Sequence, residues 1–179
     1  MKQLCFKIPL LLALLFHSTL ALCYQNIHPG AKAKSLKQAQ IDTILVEKHK
    51  RIMTVFHKDK ALKTYRIALG FSPDGHKLRE GDGKTPEGTY FIVGKNPQSK
   101  FHLSLKISYP SVEQQQNAKQ HGINPGGNIM IHGLAPHLAG KGKWHSMRDW
   151  TLGCIAVTND EIEELFKIAD VGTKVVIIP

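Results

Sequence analysis

The chain has few cysteines and few acidic residues, and each shortage restricts the classes of protein to which it can belong. Its 179 residues include only three cysteines, Cys5, Cys23 and Cys154, which excludes a folded domain held together by a disulfide framework. The 14 acidic residues are outnumbered by 24 basic ones, for a formal charge of +10, and this balance favours an anionic partner. With 42% hydrophobic residues, a chain of this length is expected to form one domain with its own core.

The chain also lacks an apolar run long enough to cross a bilayer. Lys2 and Lys7 precede a short apolar run at residues 8–16, and small residues follow it. This layout predicts a secretory signal peptide over residues 1–23. We therefore expect an exported protein of the periplasm or cell envelope, with a cell-envelope polymer rather than nucleic acid as its partner. A lipid anchor at Cys23 is disfavoured, because such signals require a small residue where this chain has Leu22.

Export would leave one cysteine in the folded domain. Cys5 is lost with the signal peptide and Cys23 lies at the cleavage point, so Cys154 has no partner. In an oxidising compartment a structural cysteine normally forms a disulfide. A lone thiol there indicates a reactive group, and a buried inert cysteine is the alternative.

Residues 24–40 are predicted to be a polar linker, and the hydrophobic pattern of residues 41–179 predicts a mainly β domain with a few short helices. The first three strands are expected to form an antiparallel meander. A glycine-rich stretch at residues 70–88 lacks the signature of a phosphate-binding loop and is interpreted as a surface loop. Strands are expected at residues 43–47, 51–56, 63–69, 89–94, 101–109, 129–131 and 174–178, with a turn at 95–97. A first helix is expected at residues 113–120. A second helix is expected to start with a capping box at Thr158 and Glu161 and to end before Gly172.

His132 is the best candidate for a general base. It follows the apolar strand predicted at residues 129–131, which would hold the imidazole in a fixed direction. Gly133 lets the backbone approach closely, so that a neighbouring carbonyl can accept the imidazole N–H and set the tautomer. His137 and His145 are rivals, but both lie in a Gly- and Lys-rich connection that is expected to be mobile.

Cys154 is the candidate nucleophile, since a thiol next to an imidazole is the pattern of nucleophilic catalysis. It lies shortly before the predicted second helix, and a helix N-terminus together with a nearby imidazole is expected to lower its pKa. The spacings among His132, His137, His145 and Cys154 match no common zinc pattern. We therefore expect no metal and no cofactor.

Several separated motifs resemble one family. His132-Gly133, Thr151, Gly153-Cys154-Ile155 and Asn159 are similar to the signature of L,D-transpeptidase catalytic domains of the YkuD type. The similarity continues through residues 81–90, 107–110 and 125–127, and it covers residues 41–179. It implies a β-sandwich-like catalytic domain and a cysteine enzyme that acts on peptidoglycan.

Two positions depart from the family pattern. Leu152 stands where many members have histidine, and Ala156 stands where many have arginine. The variant motif looks closest to a YafK-like branch. Because the arginine is missing, a different residue would have to bind the substrate carboxylate. Arg148, Lys141 and Lys143 are the candidates for this role.

The resemblance implies a role for each site residue. Cys154 would attack a tetrapeptide stem of peptidoglycan, His132 would act as base and acid, the Gly133 carbonyl would orient His132, and the amides of Gly153 and Cys154 would stabilise the oxyanion. Thr151, Trp150, Arg148 and Tyr109 would bind substrate.

The acceptor would be a second stem peptide or a lipoprotein lysine, and the protein would act as a monomer. The alternatives are an L,D-carboxypeptidase or hydrolase of the same family, and a peptidoglycan-binding domain without activity.

Overall fold

The computed structural model describes residues 40–179, so the predicted signal peptide and all of the predicted linker except Gln40 lie outside the described residues. Within this range no helix is both long and apolar enough to cross a membrane. The strands are β1 Ile41–Glu47, β2 Ile52–His57, β3 Lys60–Arg66, β4 Gly88–Ser99, β5 His102–Ile107, β6 Met130–His132, β7 Ile155–Ala156 and β8 Ala169–Ile178; the helices are α1 Val112–Gln120 and α2 Asn159–Ile168, with a 3-10 segment at Pro136–Met147.

The strands form one curled sheet in the order β3-β2-β1-β8-β4-β5-β6-β7. Strands β1, β2 and β3 form the predicted antiparallel meander. Strand β8 pairs parallel to β1 and antiparallel to β4, and it thereby joins the two halves of the sheet. The prediction of a mainly β domain with a few short helices is confirmed.

One hydrophobic core lies inside the curled sheet. Ile44 and Met53 from the first half of the sheet belong to the same buried cluster as Leu105 and Ile131 from the second half. Buried and less buried residues alternate over residues 173–178 of β8, as expected for a strand that turns one face to the core. The curl therefore holds β6 and β7 against a rigid apolar interior.

Helix α2 packs on this core directly after the segment that carries Cys154. Its residues Ile162 and Leu165 are fully buried. The predicted capping box is present: Glu161 N donates to Thr158 Oγ1 at 3.3 Å, and Thr158 N donates to Glu161 Oε2 at 2.9 Å. The cap fixes where the helix begins, and so the position of the chain that leads into it.

Several predicted boundaries are wrong. There is no turn at residues 95–97, because β4 continues to Ser99 and the chain turns at residues 100–101. The register between β4 and β5 shifts between Asn96 and Ser99, and such an irregularity accommodates Pro97 inside a strand. Strand β3 ends at Arg66, before the predicted end. Strand β8 begins at Ala169, so that Gly172 lies within the strand.

Candidate active site

Strands β6 and β7 bring the predicted nucleophile and base to one face of the sheet. The two strands are parallel, with Ile131 opposite Ile155 and His132 opposite Ala156. Because neighbouring residues of a strand point to opposite faces, His132 and Cys154 both point away from the core that Ile131 and Ile155 fill. Both residues line a cleft of about 450 Å³.

His132 is held as a neutral imidazole with one free nitrogen. Its Nδ1 lies 2.7 Å from the carbonyl oxygen of Gly133, and because a carbonyl can only accept, Nδ1 carries the proton and Nε2 is left as the base. The ring packs against Phe101 and Trp150, with centroids 4.4 and 5.9 Å away. Burial lowers the pKa of His132 to about 4, although the bond to Gly133 acts in the opposite direction.

Packing requires glycine at position 133. A Cβ atom on Gly133 would lie 2.7 Å from Asn159 Oδ1. That oxygen accepts a hydrogen bond from Leu134 N at 2.7 Å, so Asn159 at the start of α2 holds the chain just after His132. The sequence pair His132-Gly133 thus combines a base with the backbone that orients it.

Thr151 shapes the loop that carries Cys154. Its hydroxyl donates to the Cys154 carbonyl oxygen at 2.7 Å and accepts from Gly153 N at 3.1 Å. Gly153 has φ of +131°, and a Cβ atom there would lie 2.6 Å from the carbonyl oxygen of Lys84. The loop is therefore rigid, and its Gly153 amide already has an acceptor.

A second anchor of this loop is Asp149, which the sequence analysis missed. Its carboxylate accepts Leu69 N at 2.9 Å and pairs with Arg51, whose Nη2 is 2.8 Å from Asp149 Oδ2. Thr151 N also donates to Leu69 O at 3.0 Å. Arg51 is so distant in the chain that no local spacing indicates this pair.

The thiol of Cys154 does not have the lowered pKa that was predicted. The side chain is partly buried, and its Sγ donates to the carbonyl oxygen of Asn128 at 3.6 Å. Burial raises the pKa of Cys154, although the Met130 N–H and the charge of Lys77 act in the opposite direction. Helix α2 begins only at Asn159, and the influence of a helix dipole is confined to its terminal turn. The resting site therefore contains a protonated thiol and a neutral imidazole, and the thiol donates to Asn128 rather than to His132.

Of the four residues predicted to bind substrate, the structure places two in the cleft and two outside it. Trp150 and Thr151 line the cleft, whereas Arg148 and Tyr109 do not. Arg148 is exposed. Tyr109 is buried and donates to the Pro125 carbonyl oxygen at 3.0 Å, so it supports the Pro125-Gly126-Gly127 turn from behind.

The two rival bases also lie outside the cleft lining. His137 is exposed. His145 is buried within the 3-10 segment. Among residues 40–179, no three His, Cys, Asp or Glu side chains are placed to hold a metal ion.

The glycine-rich stretch at residues 70–88 contributes a wall of the cleft, although it was interpreted as a surface loop. Lys77 and Thr85 in this stretch are buried, and Lys77 and Glu80 line the cleft. Composition alone indicates only turns here. The upstream motif at residues 81–90 pointed to this region without assigning a role to any of its side chains.

Comparison with known proteins identifies the family. Residues 41–177 match YkuD, the L,D-transpeptidase catalytic domain, and the chain belongs to this family. It is 30% identical over 108 residues to YafK, a candidate L,D-transpeptidase of Escherichia coli (strain K12), in a match covering 59% of this chain and 36% of YafK. The chain thus spans about a third of this relative's length.

Two solved structures share the fold. Pgp2 of Campylobacter jejuni, a helical cell shape determining protein, is 26% identical with a TM-score of 0.58, and the match covers 83% of this chain and 51% of Pgp2. Bd1075 of Bdellovibrio bacteriovorus is 25% identical with a TM-score of 0.56, and the match covers 80% of this chain and 52% of Bd1075. The family predicted from the motifs is confirmed.

The close packing at Gly153 predicts a large loss of stability on substitution. Gly153→Ala combines a strained positive φ with overlap on the Lys84 carbonyl oxygen, and it should lower the free energy of unfolding by about 2–4 kcal/mol. Gly140→Ala is the matched control, because a Cβ atom there meets nothing within 4 Å. Urea denaturation measures both, and equal stabilities of the two variants would contradict this account of the loop.

The raised pKa of Cys154 predicts the pH dependence of its alkylation. The thiolate is the reactive form, so the rate of modification by iodoacetamide should be low at pH 7 and should increase through a pKa above about 8.5, the ordinary value. Modification is followed by the mass of the peptide that contains Cys154, with N-acetylcysteine as the reference. A rate plateau between about pH 5 and 7 would instead reveal a thiolate–imidazolium pair.

Proposed function

We propose that this chain is a peptidoglycan L,D-transpeptidase with Cys154 as its nucleophile. The observation that supports this best is the shared cleft, which is lined by both the thiol of Cys154 and the neutral imidazole of His132. The substrate is the tetrapeptide stem, cleaved between its third residue, a diamino acid, and the terminal D-alanine. Peptidoglycan lies outside the cytoplasm, in agreement with the export predicted from residues 1–23.

The first step forms a thioester. As Cys154 Sγ attacks the carbonyl carbon, its proton passes to His132 Nε2. The tetrahedral intermediate then collapses, His132 returns the proton to the nitrogen of the departing D-alanine, and the peptide bond breaks. The neutral state of His132 at the outset is the one that accepts a proton, and its bond to the Gly133 carbonyl stabilises the imidazolium formed in between.

The second step transfers the acyl group to an amine. The amine attacks the thioester and loses a proton to His132, and the departing Cys154 sulfur takes that proton back. A lysine of a lipoprotein supplies the same amine chemistry as the side chain of a second stem. Water in place of the amine converts the reaction into carboxypeptidase activity.

We assign the oxyanion to the Cys154 amide. The Gly153 amide donates to Thr151 Oγ1, so its participation requires that this bond be exchanged for one to the substrate. A fixed donor aimed at the developing charge needs no reorganisation, and each such donor contributes about 3 kcal/mol in characterised enzymes. Thr151 then acts by holding the loop, and Trp150 by covering the base.

A second groove gives the acceptor a path to the thioester. This groove has a volume of about 510 Å³, is lined by Lys106, Ser108 and Gln115, and shares Glu80 and the Gly126–Asn128 backbone with the cleft. We place the donor stem in the cleft and the acceptor in this polar groove.

Turnover of a purified muropeptide tests the function. The chain incubated with disaccharide-tetrapeptide should release D-alanine and yield a product of dimer mass, and Cys154→Ala should yield neither. His132→Ala should lower the rate by about 10²–10⁴-fold, the usual contribution of a general acid–base. His137→Ala, which alters an exposed histidine outside the cleft, should retain the activity of the unchanged chain.

The products separate this proposal from its alternatives. Loss of alanine without dimer would show that water is the acceptor and would contradict transpeptidation. Equal turnover by the unchanged chain and Cys154→Ala would exclude the cysteine mechanism. Binding of muropeptide without turnover, together with no covalent carbapenem adduct on Cys154, would identify a binding domain.

A further inference from the structure

A buried lysine lies in the wall of the cleft. The side chain of Lys77 is only 2% exposed, and yet the residue lines the same cleft as Cys154. Among the described residues that line this cleft, Lys77 is the one lysine or arginine. Burying an ammonium group is costly unless it is paired, so its position calls for a physical explanation.

The pairing of Lys77 leaves one of its protons unused. Nζ donates to Asp82 Oδ1 at 2.7 Å and to the Arg79 carbonyl oxygen at 3.0 Å, whereas an ammonium group has three protons to donate. Within residues 40–179 the third proton has no acceptor. The ammonium can therefore take one further acceptor without losing those it has.

Asp82 holds the ammonium in place. Besides Lys77, its carboxylate accepts Leu78 N at 2.9 Å, Arg79 N at 3.0 Å and Lys84 N at 3.1 Å. Burial acts to raise the pKa of Asp82, but the Lys77 ammonium and these backbone N–H groups hold it down at about 2. The ion pair is thus a fixed part of the cleft wall.

The cations considered from the sequence do not reach this cleft. Lys141, Lys143 and Arg148 are exposed and are absent from its lining. Ala156, which occupies the position of the family's arginine, is fully buried and carries no charge. Glu80 is the other charged residue on the cleft wall; it is exposed, and its Oε2 accepts Asn124 Nδ2 at 2.7 Å.

We propose that Lys77 Nζ binds the free carboxylate of the ligand that enters the Cys154 cleft. The ligand class is a peptide with a terminal α-carboxylate, and its identity as the D-alanine end of a donor stem rests on the function proposed above. The carboxylate accepts the third ammonium proton, and such charge-assisted bonds are stronger than neutral ones. Lys77 thereby supplies the cation that this chain lacks at Ala156.

A pair of alkylating reagents tests the site without any turnover. Iodoacetate and iodoacetamide both react with the Cys154 thiolate, but only iodoacetate carries a carboxylate, so the ratio of their rates reports attraction of that group. For the full chain at one pH, the ratio should exceed that of N-acetylcysteine by about tenfold, equivalent to one charge-assisted contact of about 1.4 kcal/mol. Modification is measured on the peptide that contains Cys154.

Variants assign the effect to one side chain. Lys77→Met should bring the ratio down to that of N-acetylcysteine, and Lys77→Arg should keep most of it. Arg148→Met removes the same charge from the exposed surface and should leave the ratio unchanged. A ratio for Lys77→Met within twofold of that of the unchanged chain would overturn the proposal.

Asp82→Asn gives a second readout in case Lys77→Met does not fold. It removes the neutralising charge next to Lys77 and retains one oxygen to accept Leu78 N and Arg79 N. The iodoacetate-to-iodoacetamide ratio should therefore increase. A ratio that stays within twofold of that of the unchanged chain would overturn the proposal.

Peptide turnover separates carboxylate binding from a general effect on the thiol. A tetrapeptide stem with a free C-terminus should be used with a higher kcat/KM than its C-terminal amide, and Lys77→Met should abolish that preference. Equal losses on both substrates would contradict a carboxylate site. If no peptide is turned over, the transpeptidase function is refuted, and the alkylation ratio still decides whether Lys77 binds carboxylates.

Discussion

The site depends on the pairing of two very short strands, β6 and β7. Each strand is too short to hold its register alone, and contacts with the surrounding chain stabilise the register of the pair. Val157 N donates to the His132 carbonyl oxygen at 3.0 Å, and Ala68 and Ala156 exchange backbone hydrogen bonds from the other side. Ile131 and Ile155, both fully buried, fix the face that each strand turns to the core. Because a shift by one residue would reverse every side chain, this packing determines that His132 and Cys154 open into the same cleft.

Burial then determines the protonation states of His132 and Cys154 in the free protein. Withdrawal from water disfavours every charged form, so the pKa of His132 decreases and that of Cys154 increases. These shifts disfavour a stable thiolate–imidazolium pair, and in the proposed mechanism charge develops only when the carbonyl of a ligand is attacked. The fixed charge of the cleft wall is instead the Lys77–Asp82 pair. In the mechanism that we propose, the cleft has two tasks: His132 and Cys154 exchange the proton, and the Lys77–Asp82 ion pair binds the carboxylate of the ligand.

Features that depend on a local pattern or a motif could be predicted from the sequence. Alternating hydrophobic residues indicated the meander, Thr158 and Glu161 indicated the start of α2, and the signature residues indicated His132 and Cys154. The sequence was insufficient wherever distant segments meet. Asp149 is anchored by Arg51, and Lys77 faces a thiol far along the chain. Propensity alone also could not reveal that Pro97 lies within a continuing strand, since the register shift that accommodates it depends on the partner strand.

In the proposed function, the sulfur of Cys154 carries the acyl group between donor and acceptor. The most direct measurement is the mass of the intact protein, quenched in acid shortly after mixing with a stem tetrapeptide. The account predicts an adduct of the tetrapeptide minus D-alanine, located on Cys154 and released by hydroxylamine as expected of a thioester. Formation of product with no such adduct, or an adduct on another residue, would contradict it.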